Sequence, residues 1–163
     1  MNIVKLFRSI EQDLNEDQKC GFCWEFSAPF FEDIANTIIE SEPCCVQLRL
    51  IDYSQNKVNT YVNGFPSNNY VDYNFTLQAI KQSELGRNMD NEQKIHPLDQ
   101  SKWELIYNPL RECLSDDQFV KWCEYLGLQV EVTRWNFTML VNYSDNNYDG
   151  WKIQASIRIR NEF

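Results

Sequence analysis

Glycine is scarce, at five residues in 163. No Gly-x-Gly-x-x-Gly and no Gly-x-x-x-x-Gly-Lys is present, so the chain has no sequence for cradling phosphates on backbone amides. Histidine occurs once, as His96 directly before Pro97 at an expected helix start, a place for a solvated loop residue rather than a ligand or base; a pairing of that imidazole with one of the thiols is only formally possible. Cations are few. Fifteen Lys and Arg stand against 24 Asp and Glu, and the resulting charge of -9 repels nucleic-acid backbones and anionic membrane surfaces. No apolar run approaches the roughly 20 residues that cross a bilayer. Met1 to Leu14 is amphipathic and charged rather than a signal-peptide core, so we expect a protein made and kept in a cytosolic compartment.

Aromatic residues are plentiful at 14%, and 163 residues suit one domain with a sizeable core. The last strand is the clearest element. Trp151, Ile153, Ala155, Ile157 and Ile159 alternate with Lys152, Gln154, Ser156, Arg158 and Arg160, which gives one dry face and one wet one. Ile3, Leu6, Phe7, Ile10 and Leu14 recur at helical spacing, a short apolar segment spans Gly21 to Phe26, and a second helix is expected from Ser27 until Pro43. Three strands should follow as a meander, around Val46 to Leu50, Val58 to Val62 and Val71 to Leu77. Asn63-Gly64 and the Pro66 to Asn69 cluster supply turn chemistry between the last two. Gln82 to His96 reads as an exposed loop, and Pro97 opens a helix that Pro109 should kink or end. Ser115-Asp116-Asp117-Gln118 has capping-box spacing ahead of a helix with Phe119, Trp122, Cys123 and Leu126 inward and Gly127 as its left-handed stop. Leu128 to Tyr143 is a long strand whose inward face switches near Arg134, as a bulge would cause, and it forms a hairpin with the final strand. The expected fold class is α+β, an antiparallel sheet covered by helices in a single domain over 1–163, with 1–44 as an N-terminal helical part and 45–163 as the sheet-and-helix core.

Six cysteines, Cys20, Cys23, Cys44, Cys45, Cys113 and Cys123, are expected as mostly reduced thiols in a cytosolic setting, where Asn-x-Ser/Thr matches at Asn74, Asn136 and Asn142 carry no glycan. Cys20-x-x-Cys23 with Cys44-Cys45 is the nearest approach to a zinc site. Adjacent Cys44 and Cys45 at a strand start would point to opposite faces, which favours buried structural thiols instead. Asp145 to Gly150 matches the first half of a calcium loop, but position twelve is Ser156 and a strand follows where a helix should, so an Asx-rich hairpin turn is the better reading. The five tryptophans lie on apolar faces and read as core. Trp135, beside Arg134 at the pattern switch, is the one that could face a partner. No cofactor, metal or catalytic residue is expected.

Three segments carry a resemblance to a known family. Tyr61-Val62-Asn63-Gly64 with Tyr73-Asn74-Phe75-Thr76-Leu77-Gln78-Ala79, Asn88 to Glu92 followed by helices, and Asp145 to Ile159 are similar to the central hairpin, helical section and closing hairpin of the tail terminator and minor capsid proteins of tailed bacteriophages. The likeness spans roughly residues 45 to 160. It implies a tail-terminator-like fold and a non-enzymatic virion protein, made in the host bacterial cytoplasm. Copies would form a ring, usually of six, in the neck or at the tail end, joining head, neck and tail proteins while DNA passes through without specific binding. Such rings use heterologous contacts, in which a sheet edge or hairpin of one copy meets the next. On this reading the contact residues are Trp135, Lys152, Arg158, Arg160, Asp145 and Asp149, with Gln82 to Lys94 and Ser144 to Asp149 as docking loops. The rival expectation is a soluble acidic adaptor or inhibitor that masks a basic partner surface.

Overall fold

A computed structural model describes residues 3–16, 22–27, 45–82, 97–143 and 148–160. The chain runs α1 (Ile3–Glu16), β1 (Cys23–Ser27), β2 (Cys45–Val62), β3 (Phe65–Gln82), α2 (Pro97–Cys113), α3 (Asp116–Tyr125), β4 (Val130–Tyr143) and β5 (Tyr148–Arg160). Five strands form one sheet in the order β1-β2-β3-β5-β4. All neighbours are antiparallel except β1 and β2, which run parallel from Cys23 opposite Cys45 to Ser27 opposite Arg49. The class is α+β as expected, but the sheet is mixed. The apolar segment after α1 is long enough to add a strand, and its connection to β2 is long enough for a parallel crossover.

One face of the sheet holds the core. Val46, Leu48 and Leu50 of β2, Tyr73, Phe75, Leu77 and Ala79 of β3, and Trp151, Ile153, Ala155, Ile157 and Ile159 of β5 are buried in a single cluster with the apolar faces of all three helices. Phe7 of α1 sits at its centre, with its ring 5.3 Å from Phe75, 6.0 Å from Phe26 and 6.0 Å from Phe119. Burying one such ring contributes about 2 kcal/mol. The N-terminal part is therefore built into the main core and supplies a strand as well as a helix. Asn15 fastens the two together. Its amide donates to the Trp24 carbonyl and accepts from the Trp24 N–H, both at 2.9 Å, as a neighbouring strand would.

Two expectations about strands are corrected. The segments around Val46–Leu50 and Val58–Val62 are one 18-residue strand, because the polar stretch between them contains neither Gly nor Pro and pairs with β3 along its length. A register shift between Leu50 and Asp52 absorbs Ile51, which brings Tyr53 opposite Phe75 and keeps it against the core. The turn is confined to Asn63 and Gly64, at φ 53° and 80°, as an Asn-Gly hairpin requires, while Pro66 to Asn69 lie within β3. In β4 the expected switch is present. Thr133 is the extra residue between Val132 and Arg134, and its hydroxyl donates to the Ser156 carbonyl at 3.1 Å.

The helix from Pro97 runs through Pro109 to Cys113 rather than ending there. Buried Tyr107, Leu110, Cys113 and Leu114 hold both sides of the proline on the core, and tertiary packing outweighs the lost amide. At α3 the Ser115 hydroxyl accepts from the Gln118 amide at 3.2 Å, and Gly127 at φ 77° follows the helix end. Leu126, expected inward, is 43% exposed. The expected helix from Ser27 to Pro43 and loop from Gln82 to His96 fall, apart from their edge residues, outside the described residues.

Cys23 and Cys113 are disulfide-bonded, which corrects the expectation of reduced thiols. Cys123 is free and buried, and desolvation pushes its thiol up to about 12. No helix among the described residues is long and apolar enough to cross a membrane.

Candidate interaction site

The expected contact residues divide by their place in the sheet. The Thr133 bulge returns Trp135 to the helix side, where it packs 5.0 Å from Phe119 and 5.9 Å from Phe75. Its indole N–H donates to the Leu114 carbonyl at 3.0 Å, just past the end of α2. Trp135 is therefore a half-buried core residue that occupies an otherwise open carbonyl, and it leaves the contact set. Asp149 leaves as well. It has no exposed surface and stands opposite buried Lys81 in the β3–β5 ladder. Asp145 lies outside the described residues.

Lys152, Arg158 and Arg160 do project from the outer face of β5, but β5 is paired on both sides and offers no free edge. Arg158 is already engaged. Its Nε and one terminal nitrogen donate to the two Asp72 carboxylate oxygens at 2.7 and 3.0 Å, and the guanidinium lies over the Tyr70 ring. That fork holds the Asp72 carboxyl below its ordinary range. Arg160 is exposed, and its guanidinium donates to the Gln129 side-chain oxygen at 3.5 Å.

The open parts of the molecule lie elsewhere. Beyond Arg49 no described strand pairs with the outer edge of β2, and beyond Tyr70 no described strand pairs with the outer edge of β3. The two strands continue together as an arm that extends roughly 16 Å past β5, at ~3.3 Å per residue from Tyr70 to Phe65. At its tip Tyr61 is 62% and Phe65 74% exposed. A second opening lies between α1 and α3, a cleft of about 220 Å³ walled by Ile10, Trp122, Tyr125 and Leu126, with Asp13 and Glu16 at its margin. Sequence reasoning placed the Asn-Gly turn but gave no weight to the aromatics beside it. Alternation alone cannot tell a strand in the sheet from one that runs past its end.

A mixed five-stranded sheet whose described helices pack on one face, with a projecting two-stranded arm and an interhelical cleft, defines an α+β protein. The chain matches no protein-family model, and no curated protein matches it.

Proposed function

We propose that this chain is a non-enzymatic virion assembly protein of a tailed bacteriophage, forming a ring in the neck or at the tail end that joins the tail to the head connector. The observation that carries the reading is the β2–β3 arm, with an edge that no described strand pairs and its solvent-facing Tyr61 and Phe65. An aromatic pair adds nothing to an Asn-Gly turn, and an open strand edge invites another chain. Disulfides at Cys23 and Cys113 suit a particle that leaves a reducing cell, since virion surfaces are among the places where such bonds persist. Native mass spectrometry and negative-stain microscopy of the purified chain test the proposal. Closed rings of defined copy number are expected, and a monomer at tens of micromolar that also fails to join virion fractions overturns it.

The adaptor reading draws on a different observation. Glu104, Glu112, Asp116, Asp117 and Glu124 are all exposed on α2 and α3, giving the helical layer an acidic surface. A monomer that captures a basic partner, with binding weakened steeply by salt, would favour it.

A further inference from the structure

We infer that the arm tip of one copy docks into the α1–α3 cleft of the next. The inference rests on the assembly reading above and names its contact.

The two surfaces answer each other in size and chemistry. The tip presents Tyr61 and Phe65 to water on either side of a tight turn, and by strand alternation they occupy opposite faces, so the tip is a narrow aromatic wedge. The cleft, at about 220 Å³, exceeds the roughly 150 Å³ that accommodates a benzene ring in a protein interior. Its floor is Ile10 and buried Trp122, and its rim is Tyr125, 82% exposed, and Leu126, 43% exposed. These rim side chains are the other large apolar groups that α1 and α3 leave in water. An aromatic ring inserted between them covers apolar surface on both partners at once.

Charge points the same way. Residues 53–71 contain a single ionisable charge at neutral pH, Lys57, in a chain whose net charge is -9. Lys57 lies opposite Val71 at the base of the arm, and residues 58–70 carry no charge at neutral pH, so the tip is a neutral surface on an acidic molecule. Asp13 and Glu16 stand at the cleft margin, and no Lys or Arg among the described residues lines it. Like-charge repulsion between copies is lowest where this arm meets that margin.

Tip and cleft are different patches of one chain, and the tip aromatics remain exposed in the single copy, so the contact is intermolecular and head-to-tail. Such a contact closes into a ring or continues as a filament, according to the rotation it imposes.

The experiment is sedimentation velocity on the full chain, with Phe65→Ser as the tip variant and Leu126→Asp as the cleft variant. Thermal melting of each variant checks that it folds. The wild type is expected to assemble, and each variant alone to associate at least roughly tenfold more weakly. Mixing the two variants is expected to yield 1:1 dimers and nothing larger, because the intact tip of the cleft variant fits the intact cleft of the tip variant while the reciprocal pair is broken. Folded variants that assemble like the wild type overturn the contact and leave the ring reading standing. A mixture of non-assembling variants that stays monomeric also overturns the contact, as does a monomeric wild type; a monomeric wild type that also fails to join virion fractions overturns both.

Discussion

At the scale of single residues, the side chains that matter most for the fold are those whose polar atoms complete someone else's backbone. Asn15 lends an amide to Trp24 as if it were a strand, and Trp135 occupies the Leu114 carbonyl beyond α2. Asn15→Ala removes both partners of Trp24 at once and is expected to destabilise the protein by about 2 kcal/mol, read as a shift in urea midpoint with unchanged slope. Asp72 makes a pH-dependent contribution. Because Arg158 lowers its carboxyl in the folded state, the pair stabilises above the unfolded carboxyl pKa of about 3.9 and that stability is lost as pH falls through the lower folded value. Asp72→Asn should therefore be less stable than the wild type at pH 7 and converge with it in acid; both groups are partly exposed, so the difference should be small and shrink with salt. Cys123 is expected to resist alkylation in the native state at pH 8, since its thiol is buried and titrates near 12, and to react fully in denaturant. None of these roles was legible in the sequence. Asn15 sits in a polar run with no local pattern, and which way Trp135 points is decided by a bulge two residues before it.

At the scale of elements, periodicity carried most of the information. α1, α3 and β5 follow their apolar spacing closely, and the β4 bulge was visible because a strand's inward set changes parity there. What periodicity could not supply was pairing. β1 is five residues long and too short to show alternation, so its parallel place beside β2 depends on contacts distant in sequence. The two halves of β2 look separate because the residues between them are polar, yet that polarity marks solvent exposure, not a turn. Gly150 shows how tightly the central pairing is set. A Cβ there would lie 1.9 Å from the Ala79 carbonyl oxygen, and the backbone sits at φ 158°. The obstacle is main chain in the β3–β5 ladder and cannot rotate away, so Gly150→Ala is expected to cost on the order of 3 kcal/mol and to lower the melting temperature clearly in calorimetry.

At the scale of the whole molecule, core and arm are separable in energy although they share two strands. Among the described side chains of β2 and β3, every buried apolar one lies at or before Leu50 or at or after Tyr73. Between Val58 and Tyr70, which face each other in the ladder, the arm's described pairing is with itself alone. A hairpin of this kind, without a third strand or a helix behind it, contributes little to global stability. Replacing residues 59–69 with Asn-Gly would join Val58 to Tyr70 through a two-residue turn of the type the native tip already uses, leaving each core contact in place. The shortened chain is expected to melt within about 3 °C of the wild type, since the lost contacts amount to well under 1 kcal/mol of net stability in a domain of this size. Its assembly should nevertheless be abolished in sedimentation velocity. A large drop in melting temperature would mean that the arm is a structural part of the fold, and its exposed aromatics would then lose their standing as a contact element.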